Sequence, residues 1–290
     1  MKIEIDKNAG FCWGVVRTIE KVEDVLDSNP NSKISILGEI IHNPQEIKRL
    51  ADKGLHTVSL DDLPKFGENE ILIIRAHGEP PSTYKTIDEL KIQLIDATCP
   101  LVQNLQKLAH KYYETGTQVV IFGKKEHPEV IGLRGVCDDK CIVIKSAAEA
   151  LEMVDFTRKT LFISQTTMEG KTFDEIEKNL TEKFKMHSSA DLLTVNKSIC
   201  RFVSGREENL RKFARENQVI VFVAGKNSSN GKSLCNVCLS ENTNIHFIET
   251  ADELEKNWFD GVESVGITGA TSTPEWCLNE VKERILHLNK

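Results

Sequence analysis

Three cysteines stand at equivalent places in the sequence and could bind a metal. Cys12, Cys99 and Cys200 each follow a short β-like run and each precede a helical pattern. The N-terminus of a helix favours the thiolate, which is the metal-binding form of cysteine. Structural zinc takes four closed ligands, whereas three thiolates on a cubane cluster leave one iron open to a substrate. The three cysteines therefore predict a metal site, and an iron–sulfur cluster in preference to zinc.

The other five cysteines do not recur at matching positions. A disulfide framework is not expected in a chain of 290 residues without an export signal. Free cysteine is commonly a small buried apolar residue. We interpret as packing residues, and not as metal ligands, Cys137, Cys141, Cys235, Cys238 and Cys277.

Polar residues follow the ends of the predicted strands. His42, His127 and Ser229 each come four residues after a glycine that closes a β-like run. Imidazoles, hydroxyls and backbone N–H groups at helix starts form phosphate or diphosphate sites. The spacing lacks the lysine position of a P-loop. The candidate diphosphate residues are His42, His77, His127, Ser228, Ser229, Asn230 and Ser272, and Thr166 ends a further strand.

Glu129 follows His127 by two residues, in the string HPEV. A carboxyl group in a closed pocket can hold a raised pKa and supply protons to a reaction. Alternatively, Glu129 is an acid in the first turn of a helix, where it complements the helix dipole. The residues themselves leave both interpretations open.

The elements that position these residues repeat three times along the chain. Each repeat reads strand, cysteine, helix, strand, glycine, polar turn, helix, acidic stretch, strand and helix. Such alternation predicts βαβ units with parallel sheets, in which ligands bind at the carboxyl ends of strands. We predict an α/β fold of three similar small lobes around a pseudo-threefold axis, with a central cluster. The predicted lobes are residues 1–92, 93–190 and 191–290.

Composition excludes several classes of protein. Apolar residues make up 40% of the chain and charged residues 28%, and the formal net charge is −7. This balance is typical of a globular protein and gives no basic surface for nucleic acid. No apolar run approaches the roughly 18 residues that span a bilayer, and no signal-peptide core is present. We therefore expect no membrane segment, no nucleic-acid partner and a cytoplasmic location.

Nine short strings, in order between residues 10 and 275, give the chain a family resemblance. They are GFCWGV, IIHNP, RAHG, DATCPLV, EHPEV, SQTT, SIC, KNSSN and STPE. Together they resemble the 4-hydroxy-3-methylbut-2-enyl diphosphate reductases, the LytB/IspH family. The stretch RFVSGREEN after Cys200 departs from the threonine-rich stretch that is usual there, but no expected ligand is missing.

The resemblance implies an oxidoreductase of the methylerythritol phosphate pathway of isoprenoid synthesis. It implies one [4Fe–4S] cluster with three protein ligands, Cys12, Cys99 and Cys200, and one open iron site. The substrate would lose its allylic hydroxyl to give isopentenyl and dimethylallyl diphosphates, with electrons from an external ferredoxin or flavodoxin. Glu129 would deliver protons and Thr166 would orient the hydroxyl. The diphosphate would be held by His42, His77, His127, Ser228, Ser229, Asn230 and Ser272.

Two rival hypotheses use the same residues. A zinc hydrolase would use the thiolates and histidines without iron. A non-enzymatic iron–sulfur sensor would keep the cysteines but would need neither Glu129 nor the Ser-Ser-Asn string. A nucleotide-binding Rossmann module is disfavoured because no GxGxxG string opens the first helix.

Overall fold

The structure is a computed structural model that describes residues 1–67, 69–187 and 189–288; the side chains of residues 203 and 204 lie outside the described part. The described residues form twelve strands and ten α-helices, joined by turns and short 3₁₀ segments. The strands are β1 (Lys2–Ile5), β2 (Lys33–Leu37), β3 (Leu55–Val58), β4 (Glu70–Ile74), β5 (Gln93–Asp96), β6 (Gln118–Phe122), β7 (Ile142–Ile144), β8 (Thr160–Ser164), β9 (Leu193–Val195), β10 (Val219–Val223), β11 (Ile245–Ile248) and β12 (Ser264–Gly269). The helices are α1 (Trp13–Ser28), α2 (Pro44–Asp52), α3 (Pro81–Glu89), α4 (Pro100–Glu114), α5 (Pro128–Gly135), α6 (Ala147–Met153), α7 (Gly170–His187), α8 (Arg201–Glu216), α9 (Ser229–Leu239) and α10 (Glu275–Leu288).

Two compact units divide the chain. The first contains Met1–Ser28, Glu39–Leu55 and the chain from Arg201 onward, and the second contains Asn29–Gly38 and His56–Cys200. Each unit has its own buried apolar core. No helix of the described ranges is long and apolar enough to cross a membrane.

The second unit contains two four-stranded sheets, in the orders β3-β2-β4-β5 and β7-β6-β8-β9. The central strands β6 and β8 are buried at every residue. Such fully buried and mostly apolar strands are typical of parallel sheets covered on both faces. On one face, Phe162 of β8 stacks on Phe173 of α7 with ring centroids 4.6 Å apart. Burying one such side chain stabilises the fold by about 1.5–3 kcal/mol.

The first unit has one sheet, in the order β1-β12-β10-β11. Residues of β10 alternate between its two faces, as the period of a strand requires. Val221 packs in a core with Leu278 of α10, whereas Phe222 packs in the opposite core with Leu210 of α8 and Leu234 of α9. The sheet therefore lies between two helical layers, and it fixes where α9 and the turn after β12 begin.

The three sheets have one topology. In each sheet, the first strand after the cysteine and its helix (β2, β6 or β10) lies between the next two strands of the chain. The fourth strand (β5, β9 or β1) is one that directly precedes a cysteine, and it pairs at one edge. The described strand pairs are all parallel. The prediction of an α/β fold with three mainly parallel sheets is confirmed.

The strand before each of the three cysteines does not share a sheet with the first strand after that cysteine. Thus β5 pairs with β4, β9 pairs with β8, and β1 pairs with β12, where Lys2 lies opposite Ser264. Pairing partners are chosen by the tertiary fold, and no local pattern records them.

The predicted first lobe, residues 1–92, is also divided between the two units. Contacts tie Glu39–Leu55 to the chain from Arg201 onward. The indole N–H of Trp276 donates to Glu46 at 3.0 Å, and the Cys277 thiol donates to Gln45 Oε1 at 2.8 Å. The three predicted lobes, 1–92, 93–190 and 191–290, stay a prediction.

Candidate functional site

In the second unit, two of the predicted metal-binding cysteines are anchored in the same way. The backbone N–H of Cys99 donates to the carbonyl of Ala76 at 3.0 Å, and that of Cys200 donates to the carbonyl of Thr166 at 2.9 Å. Each acceptor is the second residue past the end of a central strand, β4 or β8. Helices α4 and α8 begin directly after the two cysteines. Both thiols therefore lie between the carboxyl end of a sheet and the start of a helix.

Cys12 has the equivalent position in the first unit. Its N–H donates to the carbonyl of Thr271 at 3.1 Å, and Thr271 is the second residue past β12. Its own carbonyl accepts from the N–H of Val16 in the first turn of α1 at 2.9 Å. The threefold repetition of the sequence is thus repeated in the hydrogen bonding that fixes each cysteine.

The donor chemistry of these cysteines fits an iron–sulfur group. Cys12, Cys99 and Cys200 are each partly exposed. Soft thiolate ligands are the donors that iron–sulfur clusters take. Of the remaining five, all but Cys141 are buried.

Glu129 is the buried acid of the second unit. It lies in the first turn of α5 with 1% of its surface exposed. The N–H of Thr166 donates to Glu129 Oε1 at 2.7 Å, and the Thr166 hydroxyl donates to Oε2 at 2.8 Å. Loss of water on burial raises the pKa of Glu129 to about 7, although both Thr166 bonds favour the charged form. A carboxyl group with this pKa can both hold and release a proton at neutral pH.

Two predicted histidines of the second unit contact each other. The rings of His77 and His127 meet edge to face with centroids 5.4 Å apart. His127 is the N-cap of α5, and its Nδ1 accepts from the N–H of Glu129 at 3.3 Å. In the neutral ring the proton then resides on Nε2, which can donate to an anion. The positive dipole end of the helix start adds to that preference.

In the first unit, the string KNSSN forms the start of α9. Ser228 is the N-cap, and its hydroxyl oxygen accepts from the N–H of Gly231 at 3.0 Å. Asn230 Oδ1 accepts from both the N–H and the hydroxyl of Thr271, each at 2.8 Å. These two bonds fix the amide so that its NH₂ faces away from Thr271. Ser229 is the first residue of the helix.

Two buried donors of this region have no partner among the described residues. They are the Asn230 Nδ2 group and the Ser272 hydroxyl. Buried polar groups in native proteins are nearly always paired, so an unpaired donor indicates a ligand or water. Two such donors beside a helix N-terminus fit an anionic ligand with several acceptor oxygens.

His42 precedes α2 in the first unit. Its Nδ1 lies 3.4 Å from the carboxylate of Glu39. A Cβ atom at Gly225 would collide with the carbonyl oxygen of His42, so glycine is required where the turn after β10 passes this loop. Asn43 rather than His42 is the N-cap of α2, with Oδ1 accepting from the N–H of Glu46 at 2.9 Å.

Sequence reasoning missed the acids that shape the turns before the cysteines. Asp6 directly follows β1 and Asp96 is the last residue of β5. Each accepts from the N–H two residues later, that of Asn8 at 2.9 Å and that of Thr98 at 2.8 Å. Asp6 also lies 3.7 Å from the buried guanidinium of Arg206. The repeated strings EID and LID before two of the cysteines were the signal that could have identified them.

Comparison with known proteins places the chain in a family. The sequence profile described as LytB protein matches residues 3–286. The 4-hydroxy-3-methylbut-2-enyl diphosphate reductase of Chloroherpeton thalassium is 44% identical over 98% of this chain and 96% of that protein. The reductase of the same name from Bacteroides fragilis is 42% identical over 98% of this chain and 97% of that protein.

Two solved structures of reductases also resemble this chain. The E-1-hydroxy-2-methyl-but-2-enyl-4-diphosphate reductase of Plasmodium falciparum superposes with a TM-score of 0.87 at 26% identity, covering 100% of this chain and 88% of that chain. The structure of (E)-4-hydroxy-3-methyl-but-2-enyl diphosphate reductase, described as the terminal enzyme of the non-mevalonate pathway, gives 0.72 at 34% identity, with 99% of both chains covered. The chain belongs to the LytB protein family.

Proposed function

We propose that this chain is a 4-hydroxy-3-methylbut-2-enyl diphosphate reductase of the methylerythritol phosphate pathway. The reaction removes the allylic hydroxyl as water, consumes two electrons and two protons, and gives isopentenyl or dimethylallyl diphosphate. Relatives of that name cover nearly the whole chain. The observation that carries the proposal in this chain is the buried carboxyl of Glu129, held by Thr166 and poised to exchange a proton at neutral pH.

Glu129 supplies the protons. Breaking the allylic carbon–oxygen bond requires a proton on the leaving hydroxyl, since hydroxide is a poor leaving group. The protonated carboxyl can give that proton, and the Thr166 hydroxyl, 2.8 Å from Oε2, can orient the substrate hydroxyl beside it. Burial keeps bulk water from competing for the proton.

The diphosphate is held at helix starts. In the second unit His77 and His127 are the predicted donors, and the Glu129 N–H on His127 Nδ1 favours a proton on Nε2 in the neutral ring. In the first unit the unpaired donors of Asn230 and Ser272 support the same role. The remaining proposed contacts are His42, Ser228 and Ser229.

The cluster is proposed to be [4Fe–4S], ligated by Cys12, Cys99 and Cys200 with one open iron site. Their partial exposure and shared anchoring support this ligand set. When bound, the group supplies the two electrons one at a time and a Lewis-acidic iron for the hydroxyl. An external ferredoxin or flavodoxin is the proposed electron donor, and the cytoplasm is the proposed location.

An anaerobic assay tests the proposal. Protein of known iron and sulfide content is mixed with reduced methyl viologen, and the hydroxylated diphosphate is added. We expect viologen to be oxidised only after this addition, with both isoprenyl diphosphates as products. Isopentenyl diphosphate is the matched control, because it carries the diphosphate but no hydroxyl to remove.

Other outcomes would favour the rivals. Iron-replete protein that leaves viologen reduced would support the sensor hypothesis. Zinc in place of iron and sulfide, with release of inorganic phosphate, would support the hydrolase.

A further inference from the structure

Cys137 and Cys141 form a thiol pair in the second unit that the proposed reaction does not use. Cys141 packs against the apolar cluster that contains Cys137, and each thiol shifts the pKa of the other. Cys137 is fully buried in the core beneath α4 and α5, and Cys141 packs at the margin of that core with part of its surface exposed. The pair lies in the connection between α5 and β7, past the end of the helix that carries Glu129 in its first turn.

The backbone between the two cysteines folds back on itself. Lys140 N–H donates to the carbonyl of Cys137 at 2.8 Å, which closes a four-residue turn. Both central residues have positive φ, 48° at Asp138 and 57° at Asp139. This is the pattern of a type I′ turn, which non-glycine residues adopt only at a cost. The turn therefore returns the chain so that Cys141 lies beside Cys137.

Side chains hold this strained turn in place. The guanidinium of Arg134 lies 2.8 Å from the carboxylate of Asp139, and the Tyr113 hydroxyl donates to Asp138 at 2.9 Å. Unfavourable backbone conformations persist where surrounding contacts over-determine them, and they are often associated with function.

The two thiols differ in reactivity. The neighbouring Cys137 thiol and the positive charge of Arg134 lower the pKa of Cys141, whereas the neighbouring Cys141 and burial raise the pKa of Cys137. Thiolate is the nucleophilic form of cysteine, and Cys141 is also the accessible member of the pair. Cys141 is therefore placed to react first, and Cys137 to complete the exchange.

We propose that Cys137 and Cys141 are a reversible dithiol–disulfide pair that exchanges with low-molecular-weight disulfides. The Cys141 thiolate attacks one sulfur of the disulfide and releases one thiolate, which takes up a proton. Cys137 then loses its proton and attacks the Cys141 sulfur, which releases the second thiolate. The protein is oxidised by two electrons and the small disulfide is reduced to two thiols. The step needs neither the cluster nor the substrate.

Peptide mapping of the cluster-loaded protein tests the proposal. Samples are equilibrated without oxygen in glutathione buffers from fully reduced to fully oxidised, quenched with acid, denatured and treated with N-ethylmaleimide. Trypsin cleaves after Arg134, Lys140 and Lys145, so a disulfide appears as two linked peptides. We expect the linked pair to rise at least about tenfold between the two extremes. Amide exchange of residues 136–141 should slow in the oxidised form.

Two single variants control the experiment. Cys141→Ser should abolish the linked pair while the iron content stays unchanged. Cys235→Ser removes a thiol on α9 outside the pair, and it should leave the linked pair unaltered. Alkylation of both Cys137 and Cys141 at the oxidising extreme would overturn the proposal. Glutathione that stays on Cys141 without closure onto Cys137 would overturn it too.

Discussion

Substituting glutamine for Glu129 removes the proton but keeps the shape of the side chain. Glutamine can still accept from the Thr166 N–H, and its NH₂ can donate to the Thr166 hydroxyl oxygen, so the two contacts at 2.7 and 2.8 Å have replacements. Burial displaces the pKa of Glu129 from its ordinary value of 4.5 to about 7. At about 1.36 kcal/mol per pKa unit, the carboxylate is disfavoured by about 3 kcal/mol.

The raised pKa of Glu129 determines how we expect kcat/KM to depend on pH. About half of the molecules carry the proton at pH 7 and about one in ten at pH 8. In the wild-type enzyme kcat/KM should therefore fall about tenfold per pH unit above about 7. Glu129→Gln should lose about 10²–10⁴ in kcat, the range for a missing general acid, and should lose this dependence on pH. The assay is anaerobic viologen oxidation from pH 6 to 9 at equal iron content.

Thermal stability gives a second test, in which Glu129→Gln should exceed the wild type although its turnover is lower. A carboxyl whose pKa is raised in the folded state stabilises the fold at low pH, and this contribution is lost as pH rises from about 4.5 through about 7. Glu129→Gln should therefore melt progressively higher than wild type as pH increases from 5 to 8. Glu126→Gln makes the same charge change at an exposed site three residues earlier and should match wild type in both measurements. Turnover of Glu129→Gln within about threefold of wild type, with an unchanged pH profile, would refute the proton-donor reasoning.

Substitutions at three further positions probe the site. Thr166→Val removes the hydroxyl that stabilises the Glu129 carboxylate, so the alkaline limb of the kcat/KM profile should shift to higher pH, and an unshifted limb would contradict that contact. His127→Asn and His127→Ala both remove the imidazole, so both should raise KM for the diphosphate. Asparagine can still cap α5, whereas alanine cannot and should cost about 0.5–2 kcal/mol of stability, so only His127→Ala should lower the melting temperature. Cys99→Ser should lose most of the bound iron. Cys277→Ser is the control: it changes a buried thiol that contacts Gln45, and it should retain the iron. Equal iron content in both variants would remove Cys99 from the proposed ligand set.

The repeated α/β pattern could be predicted because local composition carries it. The apolar runs QVVIF and VIVFV are strands buried at every residue, and a glycine follows within two residues of each. The pairing of the strand before each cysteine could not be predicted. KIEI of β1 and QLID of β5 have ordinary edge-strand compositions, and nothing in them indicates which sheet will accept them.

The candidate site was predictable in residue type but not in detail. Counting four residues from each glycine identified His127, which caps its helix, but it gave His42 and Ser229 where the caps are Asn43 and Ser228. The loops before the three helices differ by single residues, so equal spacing does not give equal geometry. The raised pKa of Glu129 could not be predicted from the sequence either, because desolvation depends on the side chains that the fold packs around the carboxyl group.

The pairing of β1 with β12 has a consequence for how the protein is made. Ile5 is synthesised early, but its partner Ile267 emerges about 260 residues later, which takes roughly 13–50 s at 5–20 residues per second. Contacts this distant in sequence form slowly, because the intervening chain must be ordered first. The N–H of Cys12 meets the carbonyl of Thr271 only after that closure. On the ribosome, the hydrogen bond that anchors Cys12 therefore forms only after Thr271 has been made, so assembly of the proposed cluster on this cysteine should follow translation rather than accompany it.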